Sequence, residues 1–263
     1  MPDTAPTVWL QPGVLIIYGA TLDAEQHAHH AIQVVLPIDD ALCQLEYELF
    51  SGAMIINSQV PHQLSMNTGW VLLIEPESHI GQQLKAVIQK TKVTNISAGN
   101  TQLSLSKLTE RISTNKRPKF DVLLPALLAS TGLNLDQSCP SDANTVAPKL
   151  SDPRIISLLT DLDACLLGQC IKPASWKAIQ VAQQLSLSES RFLHLFRQQL
   201  GIAWRPFLLW KRLICAIQAM ISGRSATEAA YIAGFSDSAH LSRTFRQTFG
   251  ISIQQARTLL NSN

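Results

Sequence analysis

The sequence predicts an α+β chain with a β-rich front half, a barrel or sandwich followed by helices, and an all-α back half. Three observations predict it. Residues 8–75 carry short apolar, β-branched runs punctuated by Gly, Pro, Asn and Asp, with no helical period. From Gly81 the period changes to that of helices. Between residues 176 and 257 one supersecondary unit occurs twice. At 263 residues with 46% hydrophobic side chains, the chain can fill two cores.

Taken in order, residues 14–18, 31–36, 53–56 and 70–74 read as strands, and repeated short strands of this kind argue for a sandwich or barrel. Residues 82–89, 105–112 and 120–133 have helical spacing. Pro125 suits a first helical turn, which puts that start near Leu124. Residues 136–151 are rich in Ser, Asp, Asn and Pro and read as a linker. Asp152-Pro153 then fits a helix start. The expected domains are therefore 1–135 and 152–263, joined by 136–151.

The duplication is explicit. Shifted by 49 positions, Ser188 falls on Asp237, Phe192 on Leu241, Phe196 on Phe245, Arg197 on Arg246, and Leu200-Gly201-Ile202 on Phe249-Gly250-Ile251. Ala182 falls on Ala230 at 48, so the second copy has one extra residue. Ser188 and Asp237 are N-caps, because a side-chain oxygen can accept the orphan N–H groups of a first turn. Gly201 and Gly250 suit a left-handed helix exit. On a helical wheel Phe192, Phe196 and Leu200 face inward, and Ser190, His194 and Arg197 face outward. In the second copy Leu241, Phe245 and Phe249 oppose His240, Arg243 and Gln247. A helix with aromatics inside and donors outside can lie in a major groove, where base edges present acceptors.

The motifs Ser188-x7-Phe196-x4-Gly201, Arg212 with Ala216, and Ala230-x3-Gly234-Phe235-Ser236-Asp237-x5-Arg243-x-Phe245-x4-Gly250-x6-Arg257 resemble the DNA-binding domain of AraC/XylS-family transcription regulators. Ile253 stands where that family has Pro, and Ala256 where it has an aromatic nearby. The resemblance implies a regulator that binds double-stranded promoter DNA, with RNA polymerase as a partner. On the first recognition helix it points to Ser188, Ser190, Arg191, His194 and Arg197, and on the second to Ser238, His240, Arg243 and Arg246. Arg197 and Arg243 are the guanine readers, since a guanidinium can engage O6 and N7 together. Arg246 and the helix N-termini suit phosphate. Arg243 could instead serve an internal ion pair, and Arg212 is expected to make one. A rigid helix starting at Pro206, with 207–221 as its apolar stretch, would hold the recognition helices about one DNA turn, roughly 34 Å, apart.

The front half, with His27-x-His29-His30 before a strand and Gly52-x8-Pro61-His62 after one, resembles the cupin-like sensor domain found ahead of such DNA-binding domains. That resemblance implies a small-molecule effector and a possible homodimer built on the helices after residue 81, which could equally pack on their own barrel. His27, His29, His30 and His62 could converge at an effector or metal site, with Glu46 and Glu48 as carboxylate candidates. An organic effector, a metal ion, and a barrel that docks a protein partner all stay open.

Charge agrees with this division. Residues 151–263 hold 12 Lys and Arg against 6 Asp and Glu, whereas residues 1–150 hold 9 against 13. A basic rear half is what a phosphate-binding surface requires. No signal peptide or 18-residue apolar run is present, which predicts a cytoplasmic protein without a membrane span. Cys43, Cys139, Cys165, Cys170 and Cys215 are expected to be free thiols. No Pro-Cys-His motif, Ser/His/Asp grouping or phosphate-cradling glycine loop points to an enzyme.

Overall fold

A computed structural model describes residues 7–19, 22–96, 105, 118–133, 135, 150–167 and 176–260, with the backbone alone at 165–167 and 257–260. The strands are β1 (Thr7–Gln11), β2 (Val14–Tyr18), β3 (Leu22–His27), β4 (Ile32–Pro37), β5 (Ala41–Leu45), β6 (Glu48–Ser51), β7 (Met54–Ile56), β8 (His62–Met66), β9 (Gly69–Ile74) and β10 (Val93–Asn95). They form two antiparallel sheets, ordered β1-β2-β9-β4-β7-β10 and β3-β8-β5-β6. The four runs read from the sequence are β2, β4, β7 and β9 of the larger sheet. These strands are buried nearly throughout, so they read as continuous apolar runs. The smaller sheet alternates buried and exposed positions in β5 and β8, with Gln44, Gln63 and Ser65 outward.

One core cluster joins the larger sheet to two helices, α1 (His79–Ile88) and α2 (Phe120–Ser130). Ile16, Tyr18, Val34, Leu36, Trp70 and Leu72 meet Leu84 and Ile88 of α1 and Leu123, Leu124, Leu127 and Leu128 of α2. Trp70 packs on Tyr18 and Trp9, with centroids 4.5 and 5.8 Å apart. Ser78 caps α1 by accepting from the Gly81 N–H. Helix α2 begins at Phe120, four residues before the expected start, and Pro125 lies inside it. An interior proline forfeits one helical hydrogen bond, but the leucine stripe buried against the sheet outweighs that loss. Of the expected helix over 105–112, all but Leu105 lies outside the described residues, as does the linker before residue 150.

The rear half supplies α3 (Pro153–Leu167), α4 (Ala178–Gln184), α5 (Glu189–Leu200), α6 (Trp204–Ile221), α7 (Ala226–Ile232), α8 (Ser238–Phe249) and α9 (Ile253–Leu260). Asp152 opens α3, its carboxylate accepting from the Arg154 N–H at 3.0 Å. Helix bounds repeat as the sequence does: α4 and α7 are offset by 48 positions, α5 and α8 by 49. In both turns a backbone bond closes the corner, Leu187 N–H to Ala182 O at 2.8 Å and Phe235 N–H to Ala230 O at 2.9 Å. The extra residue is therefore Ser236, inserted between that corner and the cap.

Residues 150–208 share a core in which Ile155, Leu158 and Leu162 of α3 meet Phe192, Phe196, Trp204 and Phe207. The linking helix α6 starts at Trp204, so Pro206 is its third residue, still in the first turn where its missing N–H costs nothing. Lys211, not Arg212, makes the ion pair, at 2.8 Å to Asp163. Cys43 is a free thiol but Cys215 is disulfide-bonded, which overturns the expectation of free thiols throughout. The side chains of Cys139, Cys165 and Cys170 lie outside the described residues.

Packing groups residues 1–143 with 245–263, and residues 144–244 separately. The sequence reading keeps 245–263 in the helical half. Here α9 lies beside β1, and Gly250 bonds to β3. No helix among the described residues is long and apolar enough to cross a membrane.

Candidate DNA interface and histidine cluster

Helix α5 presents its donors as the wheel predicts. The Ser188 side chain accepts from the Arg191 N–H at 3.2 Å, and Gly201 closes the helix at φ 75°. Phe192, Phe196 and Leu200 are buried, whereas Ser188, Ser190, Arg191, His194 and Arg197 are exposed. Among the described residues neither Arg191 nor Arg197 has a carboxylate partner. The row can therefore donate outward.

Helix α8 repeats the scheme with changes. Asp237 caps it, accepting from the His240 N–H at 2.7 Å, and the inserted Ser236 joins both Asp237 and the His240 ring. The same bonds hold the Asp237 carboxyl below its usual range. His240 packs edge-on against Phe235, so this candidate reader is partly occupied within its own turn. Arg243 is exposed and Ser238 half-buried. Arg246 is exposed but not idle: its Nε donates to Glu25 Oε2 at 3.1 Å and its Nη2 to Glu25 Oε1.

The histidines form a second constellation. His27 ends β3 and is the direct cross-strand partner of His62 on β8, just past a register shift between Ala24 and His27. His29, two residues on, returns to the same side. Ring centroids lie 4.2 Å (His27–His62), 5.4 Å (His29–His62) and 5.5 Å (His27–His29) apart. All three are buried, and one nitrogen from each falls within 4.8 Å of the others.

Their tautomers follow from their partners. Nδ1 of His27, His29 and His62 lies 2.8, 2.9 and 2.9 Å from the carbonyls of Glu25, Ala31 and Val60. A carbonyl only accepts, so each Nδ1 carries the proton and each Nε2 keeps a lone pair. That is the arrangement in which metal-ligating histidines are held. Among the described residues, His62 Nε2 is buried with no hydrogen-bond partner. His29 Nε2 lies 2.8 Å from Gln33 Oε1, where two acceptors face each other unless a cation or a turned amide intervenes. Burial, with repulsion between the rings, pushes His62 down to about 3 and His29 to about 4, and burial lowers His27 as well. The cluster is thus neutral at pH 7, as ligands must be.

Three of the four candidate histidines therefore converge, and the fourth does not. His30 turns away to Glu77, at 2.8 Å. Glu46 pairs with Lys92 at 3.4 Å on the surface and Glu48 is exposed, so neither joins the cluster. Gln33 and Glu25 were missed. Gln33 stands four residues after His29 and could have been found by that spacing, whereas nothing local marks Glu25. Elsewhere in the same unit, a cavity of about 420 Å³ opens among Val14, Ile80, Phe120, Leu124 and Leu128, with Ser78, His79 and Asp121 also in its lining.

Comparison with known proteins agrees with the rear half. Residues 181–258 match the family model described as a helix-turn-helix domain. The chain is 30% identical over 83 residues to the virulence regulon transcriptional activator VirF of Yersinia enterocolitica, covering 31% of each protein. It is 33% identical over 95 residues to the probable transcriptional regulator LumQ of Photobacterium leiognathi, covering 35% of this chain and 38% of that protein. These matches span about a third of the relatives' length. Over nearly its whole length the chain has the fold of ToxT from Vibrio cholerae, with a TM-score of 0.53 at 12% identity, covering 94% of this chain and 97% of that one. A fatty-acid-bound form of ToxT also matches, with a TM-score of 0.51 at 12% identity over 99% and 98%.

Proposed function

We propose that the whole chain is a transcription regulator of the AraC type that reads double-stranded promoter DNA, a reading supported by the match of residues 181–258 to a helix-turn-helix family model. The observation that carries this is the pair of capped helices, α5 and α8, each burying an aromatic row and exposing a donor row. Arg197 and Arg243 read guanine edges in successive major grooves, and Ser190, His194 and Ser238 add polar contacts. Arg191, Arg246 and the helix N-termini at Ser188 and Asp237 engage phosphates. Arg197→Ala and Arg243→Ala should each weaken specific binding about tenfold to a hundredfold and relax base preference at one position. Arg246→Ala should weaken all sequences alike and flatten the salt dependence. Titrating the full chain against a set of duplexes differing at single positions decides this. Uniform weakening by Arg197→Ala would refute its assignment to base readout.

We further propose that the front half governs binding through a divalent metal ion held by His27, His29 and His62, with Gln33 completing the set. Three neutral imidazoles with one uncommitted buried nitrogen are the chemistry of a zinc-type site. The second reading is an organic effector in the 420 Å³ cavity, which its apolar lining favours. A melting screen of the full chain against divalent metals and apolar organic acids separates them. Stabilisation by zinc that is lost in His62→Ala supports the metal, and stabilisation by an organic acid that survives this change supports the cavity. RNA polymerase is the partner at the promoter, a homodimer the working assembly, and the cytoplasm the place of action. The role is regulation rather than catalysis.

A further inference from the structure

Strand β3 serves two sites at once. His27 at its end belongs to the histidine cluster. Two residues earlier, Glu25 grips the C-terminal end of α8 by side chain and backbone together. Its carboxylate accepts from Nε and Nη2 of Arg246, and its N–H donates to Gly250 O at 2.9 Å. Gly250 has φ +69°, and a Cβ there would stand 2.7 Å from His27 Nδ1 and closer still to Glu25 O. Only glycine lets the helix exit lie this close to the strand. All of these contacts fall inside one compact unit, residues 1–143 with 245–263.

The grip has the shape of a nucleic-acid contact. A carboxylate engaging a guanidinium with two parallel N–H···O bonds copies the geometry of a phosphate on the same fork. Glu25 and a DNA phosphate therefore compete for Arg246, and one guanidinium edge cannot serve both. Both side chains are more than half exposed, at 62% and 58%, so the pair is weak enough to be opened.

We propose that Glu25 is a built-in phosphate mimic: it withholds Arg246 from DNA, and the strand that carries it ties this clasp to the histidine cluster. The tie is the bond from His27 Nδ1 to Glu25 O, so a change imposed on the His27 ring is felt at the residue that holds Arg246. Linkage is reciprocal: DNA that draws Arg246 away must change metal affinity by the same factor that metal changes DNA affinity. The inference rests on the reading of Arg246 as a DNA contact and, for the tie, on the histidines as a metal site.

The test is a double-mutant cycle on the full chain, titrated into one labelled duplex at low salt, with and without zinc. Glu25→Gln keeps the shape and removes the charge. Without zinc it should bind DNA about two- to fivefold more tightly than wild type, the range an exposed ion pair can supply. Arg246→Ala should bind more weakly, and adding Glu25→Gln to it should change nothing. Glu25→Gln that binds no better than wild type, while Arg246→Ala loses affinity, overturns the clasp and leaves the DNA contact standing. Arg246→Ala that binds like wild type overturns the DNA contact and the clasp with it. In the zinc arm, the shift in DNA affinity seen with wild type should shrink in Glu25→Gln; an equal shift in both overturns the tie. A wild-type chain that takes no zinc from a chromophoric chelator removes the metal site and the tie, while the zinc-free cycle still decides the clasp.

Discussion

In the first helix-turn-helix copy, Arg197 and its neighbours Ser190 and His194 stand exposed over a buried aromatic row. In the second, the residue equivalent to Arg197 is Arg246, and it is bonded to Glu25. His240 is engaged by Ser236 and Phe235, and the helix exit at Gly250 is bonded to β3. The turns differ too. The left-handed position in the first corner is Ser186, at φ 55°, and in the second Gly234, at φ 68°. The inserted Ser236 follows only the second. Two copies of one pattern thus share their helices and diverge in what their donor rows are bonded to. Alignment transfers a fold between such copies but not a role, because the role depends on what else reaches the side chain.

The comparison breaks most visibly at the cores. Phe196 is buried against Phe192, Trp204 and Phe207, with centroids 5.8, 5.0 and 5.2 Å away. Phe196→Ala should cost about 3–5 kcal/mol through lost burial and a cavity. Denaturant unfolding followed by tryptophan fluorescence should show this loss in residues 144–244, while the sheet unit with the tail of α8 keeps its transition. Simultaneous loss of both transitions would mean that the two units unfold as one.

Acid should act on the other unit. The folded values of His29 and His62, about 4 and about 3, lie below the unfolded value near 6.5. As pH falls below 6.5 the unfolded chain takes up protons that the folded cluster refuses. Stability present above pH 6.5 is therefore lost progressively, down to about pH 4 for His29 and about pH 3 for His62. His29 alone contributes on the order of 3 kcal/mol to that loss. Urea melts across this range should show the sheet unit weakening and residues 144–244 holding. A sheet unit indifferent to pH between 6.5 and 4 would mean that the cluster is open to water.

The caps and turns sharpen the comparison with smaller effects. Ser188→Ala should destabilise its helix by about 1 kcal/mol. Asp237→Ala should do at least as much, because that carboxylate also receives Ser236. Equal and negligible losses would show that the caps are replaced by water. Ser186→Gly should stabilise the first corner by up to about 1 kcal/mol by removing a side chain from a left-handed position. A fall in melting temperature instead would show that the Ser186 side chain holds the turn in place.

Much of this was legible because it is local. β2, β4, β7 and β9 were readable as apolar runs since both their faces are buried. β3 and β8 escaped because their outward positions, among them Asp23, Glu25, Gln63 and Ser65, interrupt the apolar signal. The start of α2 was misplaced because Pro125 is a strong local signal that buried leucines overrode. His27 and His29 were marked by their spacing, but His62 could be told from His30 only by the register of β3 against β8.

The sequence by itself determined the duplicated reader: its caps, its glycine exits, the inward aromatics and the outward donors. Each of these is set by residues within one or two helical turns of one another, where spacing fixes geometry. Only the tertiary structure decided that three of four histidines meet, that Lys211 rather than Arg212 finds a carboxylate, and that Arg246 is held by a residue 221 positions away. Such pairings depend on which strands and helices come to lie side by side. That is settled by the burial of many residues at once, and no short stretch of the chain encodes it.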